Sequence, residues 1–148
     1  MAEQFPKGLR EAHGTVKVLS AERTFWEKAT ILHAEYHRPA DKPAPERLSW
    51  QYCDFYELVR KGVAVSAMAQ LDLLARVAQQ KALFFKSSWV RCEDVKKGGG
   101  LRISPPGGRV AALREDYAKM EEMFFSKPPG FEKTLALLEQ WESQFNHL

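Results

Sequence analysis

Lys28 is a cation where packing alone would favour an apolar residue: Phe25 lies three residues before it and Leu32 four after, on one face of a helical stretch. Asp54 has the matching oddity, with Trp50 four residues before it and Leu58 four after. Opposite charges on two apolar stripes admit two readings. In one, they form a structural ion pair between packed helices, with Lys28 snorkelling along its aliphatic stem. In the other, Lys28 meets phosphate oxygens of a nucleotide while Asp54 orients a nucleophile, Lys28 itself or a metal-bound group. Spacing does not separate the two.

Other chemistry-bearing residues give weaker signals. His33 and His37 stand four apart, a spacing that binds a metal when a third ligand arrives from elsewhere. Glu35 between them departs from the His-Glu-x-x-His order of zinc proteases, and the favoured reading is a core His33, a solvated His37 and no metal site. Lys96-Lys-Gly-Gly-Gly100 has its lysines before the glycines and no helix directly after, so a flexible loop is predicted rather than a phosphate cradle. Phe84, Phe85 and Trp89 interleave with Lys81, Lys86 and Arg91; with Lys96 and Lys97 these cations make a candidate nucleic-acid surface, against the favoured reading of the rings as core. Ser87 and Ser88 have no base in sequence reach, and Cys53 and Cys92 have neither a nearby His nor a partner pair. Nucleophilic catalysis, a zinc site and a disulfide are therefore not expected.

These residues must be carried by helices. Val16 and Val18 alternate with Lys17 as in a short strand over Thr15–Leu19, after an irregular lead-in from Met1 to Gly14. One strand cannot be a sheet, and its unpaired backbone groups would need partners that the rest of the chain scarcely offers. Ser20 is the predicted N-cap of a first helix over Glu22–Tyr36, ended by the three prolines of Pro39–Pro45. A second helix runs from Ser49 to about Gly62, and a long third from Val65 to about Phe85 with Met68, Leu71, Leu74, Ala75, Ala78 and Ala82 at helical spacing. Leu101–Ser104 reads as an extended segment between turns, where a small hairpin could form. Arg109–Phe125 and Phe131–Phe145 carry apolar stripes and are expected to pack as an antiparallel pair. The predicted class is mainly α: a bundle of about five helices with minor β structure.

Composition sets the outer bounds. The 148 residues, 45% hydrophobic and 28% charged, suit one soluble domain. No run approaches the roughly 20 apolar residues of a membrane span, and Met1–Arg10 has no apolar signal core, so a cytoplasmic location is expected. Between Lys81 and Arg114 eight cations face Glu93 and Asp94, a local excess of +6 that leaves −3 for the rest of a chain of net +3. Either a basic lobe or a scatter over several solvated faces accounts for that.

The run Val18-Leu-Ser-Ala-Glu-Arg-Thr-Phe-Trp-Glu-Lys-Ala-Thr-Ile-Leu-His33 and then Ser49-Trp-Gln-Tyr-Cys-Asp-Phe-Tyr-Glu-Leu58 resemble segments of the AbiEii-type nucleotidyltransferase toxins. In that family the C-terminal half opens with a helix of the type "pertfweKatlLh", followed after a loop by "srhyyDlyrL"; its Lys and Asp, regarded as active-site residues, match Lys28 and Asp54. Lys81-Ala-Leu-Phe-Phe-Lys-Ser-Ser-Trp89, and Met123-Phe-Phe125 with Pro128-Pro-Gly-Phe131, resemble one branch of the family, so the likeness spans nearly the whole chain. Trp50 and Gln51 stand where the family usually has Arg-His, and Cys53 replaces an aromatic residue.

The resemblance implies a nucleoside triphosphate substrate, Mg²⁺, a tRNA or other RNA acceptor and a cognate antitoxin in an abortive-infection or toxin–antitoxin system. The family's core also contributes a Gly-Ser turn and an Asp-x-Asp pair that holds the metal. Neither occurs here: no Gly is followed by Ser, and Asp41, Asp54, Asp72, Asp94 and Asp116 are too far apart. Residues 1–148 are accordingly read as one helical domain resembling the C-terminal half, without the nucleotidyltransferase core and with no cofactor of its own. Nucleotidyl transfer needs metal ions to neutralise charge developing on phosphate, so the chain alone is expected to be inactive and to need a complementing core. The alternative is a non-catalytic helical module that binds a protein partner or RNA.

Overall fold

Ser20 caps the first helix as predicted: its backbone is extended and its Oγ accepts the Arg23 N–H at 3.2 Å, with Glu22 in the first turn. The computed structural model describes residues 15–85, 87–95 and 99–148, which leaves the lead-in 1–14, Lys86, and Lys96, Lys97 and Gly98 of the predicted loop outside the described residues. The helices are α1 (Ala21–Tyr36), α2 (Ser49–Arg60), α3 (Val63–Met68), α4 (Leu71–Phe84), α5 (Val110–Met120) and α6 (Phe131–Asn146). The fold is mainly α, with one helix more than the five expected.

The extra helix comes from a break in the long third stretch. A continuous helix would send the Leu71 N–H to the Ala67 carbonyl. That carbonyl instead accepts the Trp26 indole N–H at 3.2 Å and the Gln70 N–H at 2.9 Å, and the chain turns at Gln70 (φ −122°, ψ 55°). After the turn the buried stripe is Leu73, Leu74, Val77 and Ala78, while Ala75 and Ala82 face solvent.

α1 is the hub, with α2, α3 and α4 packed around it. Its Phe25 and Trp26 meet Phe55 of α2 and Trp141 and Phe145 of α6 in a ring cluster with centroid spacings of 4.8 to 6.3 Å. Such clusters add edge and offset ring attraction to the burial of apolar area. The expected α5–α6 pair is looser than predicted, because both helices pack chiefly on α2. Between themselves they meet through Tyr117 with Phe131 and through the Arg114–Glu132 ion pair, at 2.5 Å.

Neither β expectation holds among the described residues. Thr15–Leu19 is not a strand; no segment pairs with it, and Val16 and Val18 lie open to solvent. Leu101–Ser104 is extended but forms no hairpin, because side chains take the place of a partner strand. The Leu101 N–H donates to Asn146 Oδ1, the Arg102 N–H to His33 Nδ1, and the Ile103 and Ser104 N–H groups to Glu142 Oε2 at 2.6 and 2.8 Å. Asn146 Nδ2 returns a bond to the Leu101 carbonyl. Gly100, at φ +82°, leads into this segment, and a Cβ there would fall 2.2 Å from the Asp94 carbonyl oxygen.

Candidate functional site

α1 and α2 run antiparallel across the 37–48 loop, and their shared seam sets Lys28 opposite Asp54. Lys28 Nζ donates to Asp54 Oδ2 at 2.7 Å and to Gln51 Oε1 at 2.7 Å. The side chains of Lys28 and Asp54 remain 21% and 36% exposed, so the ammonium is held at two points yet open to solvent. Sequence reading missed Gln51. Its signal was available: Gln51 precedes Asp54 by three residues, which places both on one face of α2.

The orientation of α2 is fixed at its first turn by a residue from far along the chain. Leu48, at the N-cap, offers no side-chain acceptor. Asp116 of α5 supplies it: Oδ2 accepts the Ser49 N–H at 2.9 Å and the Ser49 hydroxyl at 2.5 Å, and Oδ1 accepts the Arg47 N–H at 3.0 Å. Arg47 itself has φ +59°. An anion at this end also complements the helix dipole.

His33 is fully buried, as predicted, and both ring nitrogens are engaged. Nδ1 accepts the Arg102 N–H at 3.1 Å, so the proton sits on Nε2 and is donated to the Arg91 carbonyl at 3.1 Å. Burial holds its pKa below the ordinary value; the bond to Arg91 opposes that shift, and the charges of His37 and Arg91 add to it. A histidine so committed cannot ligate a metal through either nitrogen. His37 is half-buried rather than solvated, its ring 4.7 Å from that of His33, and burial lowers its pKa too. Cys53 is buried and its thiol is pushed up to about 11, chiefly by burial, which removes it as a nucleophile at neutral pH.

Of the candidate nucleic-acid cations, Lys81 and Arg91 lie among the described residues. Lys81 lies half-buried against α1, its pKa lowered by burial and by Lys28 while Glu27 and Cys92 pull it up. Arg91 pairs with Asp94 at 2.6 Å. Lys86, Lys96 and Lys97 fall outside the described residues. The ring expectation is corrected as well: Phe84 and Phe85 are 74% and 54% exposed, because α4 ends there beyond the last buried turn at Val77 and Ala78.

Mg²⁺ does not fit a site built from these residues. Among the described residues no three His, Cys, Asp or Glu side chains gather, and one oxygen of Asp54 is already taken by Lys28.

The fold is thus a helical domain in which a partly exposed lysine is held by a carboxylate and an amide on the seam between two helices. A family model described as nucleotidyl transferase AbiEii toxin, type IV TA system, matches residues 4–142, and the chain belongs to this family. It is therefore a nucleotidyltransferase-like protein of a toxin–antitoxin family. No curated protein and no solved structure matches it. Among the described residues no helix is long and apolar enough to cross a membrane.

Proposed function

We propose that this chain supplies the lysine–aspartate half of a nucleotidyltransferase site, in which Lys28 binds the phosphates of a nucleoside triphosphate and Asp54 and Gln51 hold its ammonium in place. The observation that carries the reading is the two-point grip on Lys28 Nζ, at 2.7 Å each, on a side chain that remains partly open. A preorganised cation needs no reorganisation when phosphate charge arrives. Asp54 acts through Lys28 and is a positioning residue.

On this reading the polypeptide is inactive alone, because it has no Asp-x-Asp pair. A complementing nucleotidyltransferase core would supply the metal carboxylates, an RNA the acceptor, and a cognate antitoxin the restraint. The test is titration of the purified chain with the magnesium salt of each nucleoside triphosphate, following heat and the resonances of Lys28 and Asp54. Saturable binding at both is expected, with no incorporation of labelled nucleotide into RNA or protein. Absence of binding would overturn the half-site, and incorporation by the chain alone would overturn its inactivity.

A second reading, a module that docks on a protein, is favoured by the exposed Val16, Val18 and Phe125. Partner capture that survives Lys28→Met and is lost with Val16→Ser plus Val18→Ser would select it.

A further inference from the structure

A cleft of about 260 Å³ opens between α1, the end of α4 and the residues Ser87, Trp89 and Val90 that follow it. Ile31, Ala34, Phe85 and Trp89 give it an apolar and aromatic lining, and Lys81 and Arg38 bring charge to it. The rings are already paired with cations: Lys81 Nζ lies 4.7 Å from the Phe85 centroid and the Arg38 guanidinium carbon 5.4 Å from that of Trp89. Glu35 also lines the cleft, and its carboxylate accepts Arg38 Nε at 2.6 Å and Nη2 at 2.7 Å, with side chains only 11% and 18% exposed. The cleft thus combines ring walls with a nearly dry donor–acceptor pair, the mixture that orients a flat heterocycle by its edge.

Its place on α1 identifies the ligand further. Ile31 and Glu35 lie roughly 5 and 10 Å along the helix axis from Lys28, at about 1.5 Å per residue. Lys81 lines the cleft as well, and the charge of Lys28 on α1 reaches it. A ligand with a heterocycle at one end and several negative charges at the other spans this surface.

We propose that the cleft between Ile31, Phe85 and Trp89 receives the base of the nucleoside triphosphate whose phosphates meet Lys28, with Lys81 as a second phosphate contact. The assignment rests on the half-site proposed above and extends it from the phosphates to the base. It also gives the exposed ring of Phe85 a use that core packing does not.

The experiment titrates the full chain with ATP, GTP, CTP and UTP as magnesium salts, and with inorganic tripolyphosphate, which has no base. The readouts are the Trp89 indole N–H resonance, assigned by its loss in Trp89→Phe, and the amide of Lys28. At least one nucleotide should move both with one dissociation constant, whereas tripolyphosphate moves Lys28 alone. Trp89→Ala should weaken that nucleotide about tenfold without changing tripolyphosphate, and Trp89→Phe, which keeps a ring, should retain binding. The indole resonances of Trp26 and Trp141 report that each variant keeps its core. Nucleotides that move Lys28 but never Trp89 would refute the base cleft and leave the half-site standing. No movement of either resonance would refute both. Movement of Trp89 by a short oligoribonucleotide only would refute the nucleotide assignment.

Discussion

Because Lys28 and Asp54 keep 21% and 36% of their side chains exposed, their ion pair is screened by solvent and contributes on the order of 1 kcal/mol or less. Lys28→Met should therefore shift the urea midpoint little while abolishing nucleotide binding; a loss of several kcal/mol would mark a structural pair instead. His33 behaves differently because its partners require the neutral ring. Its folded pKa lies below the ordinary 6.5, so above that value both folded and unfolded chains hold it neutral and the full stability is present. As pH falls below 6.5 the unfolded chain takes a proton that the folded chain refuses, and stability is lost until the lowered folded value is reached. His37, shifted the same way, adds to the loss. Denaturation midpoints at pH 7.5 and 5 should show this decline, and His33→Gln should shrink it. At this scale Lys28 and Asp54 were legible because a charge inside an apolar stripe breaks a pattern. The tautomer of His33 was not, since it is set by backbone groups 58 and 69 residues away.

Among the elements, α2 carries Asp54 and Gln51 yet depends on α5 for its first turn. Asp116→Ala should cost about 1 to 2 kcal/mol, the usual range for a lost N-cap, and should lower the affinity for nucleotide as α2 frays, although Asp116 never meets the ligand. Equal stability in wild type and variant by chemical denaturation would dismiss the cap. Helix starts and stripes were readable where local signals are strong, as at Ser20 or at Leu138, Trp141 and Phe145. The break at Gln70 was not, because what ends α3 is the indole of Trp26, 41 residues from the carbonyl it binds. The trans cap of α2 was hidden for the same reason: Leu48 looks like a poor cap until Asp116 arrives.

Across the whole molecule, three arginines of the apparent basic stretch are paired with carboxylates and a fourth is bound to backbone carbonyls. Arg91, Arg102 and Arg114 pair with Asp94, Glu142 and Glu132, and Arg109 donates to the carbonyls of Pro39 and Lys42. Sequence counting could not see this, because Glu142 and Glu132 lie outside the stretch that was counted. If the four lysines of the stretch alone meet phosphate, any binding of single-stranded RNA should weaken with a log–log salt slope of about −3, where all eight cations would give about −6. Filter binding over a salt series separates the two, and the steeper slope would show that the arginines leave their carboxylates for phosphate. The segment from Leu101 to Ser104 has a consequence at the same scale. Its amide hydrogens are held by α1 and α6 rather than by a sheet, so their exchange with deuterated water will follow the separation of two helices distant in sequence. Acidification that protonates His33 should release the Arg102 hydrogen first, while those of Ile103 and Ser104 wait on Glu142: a stretch with no secondary structure then reports, hydrogen by hydrogen, whether α1 and α6 are still closed upon each other.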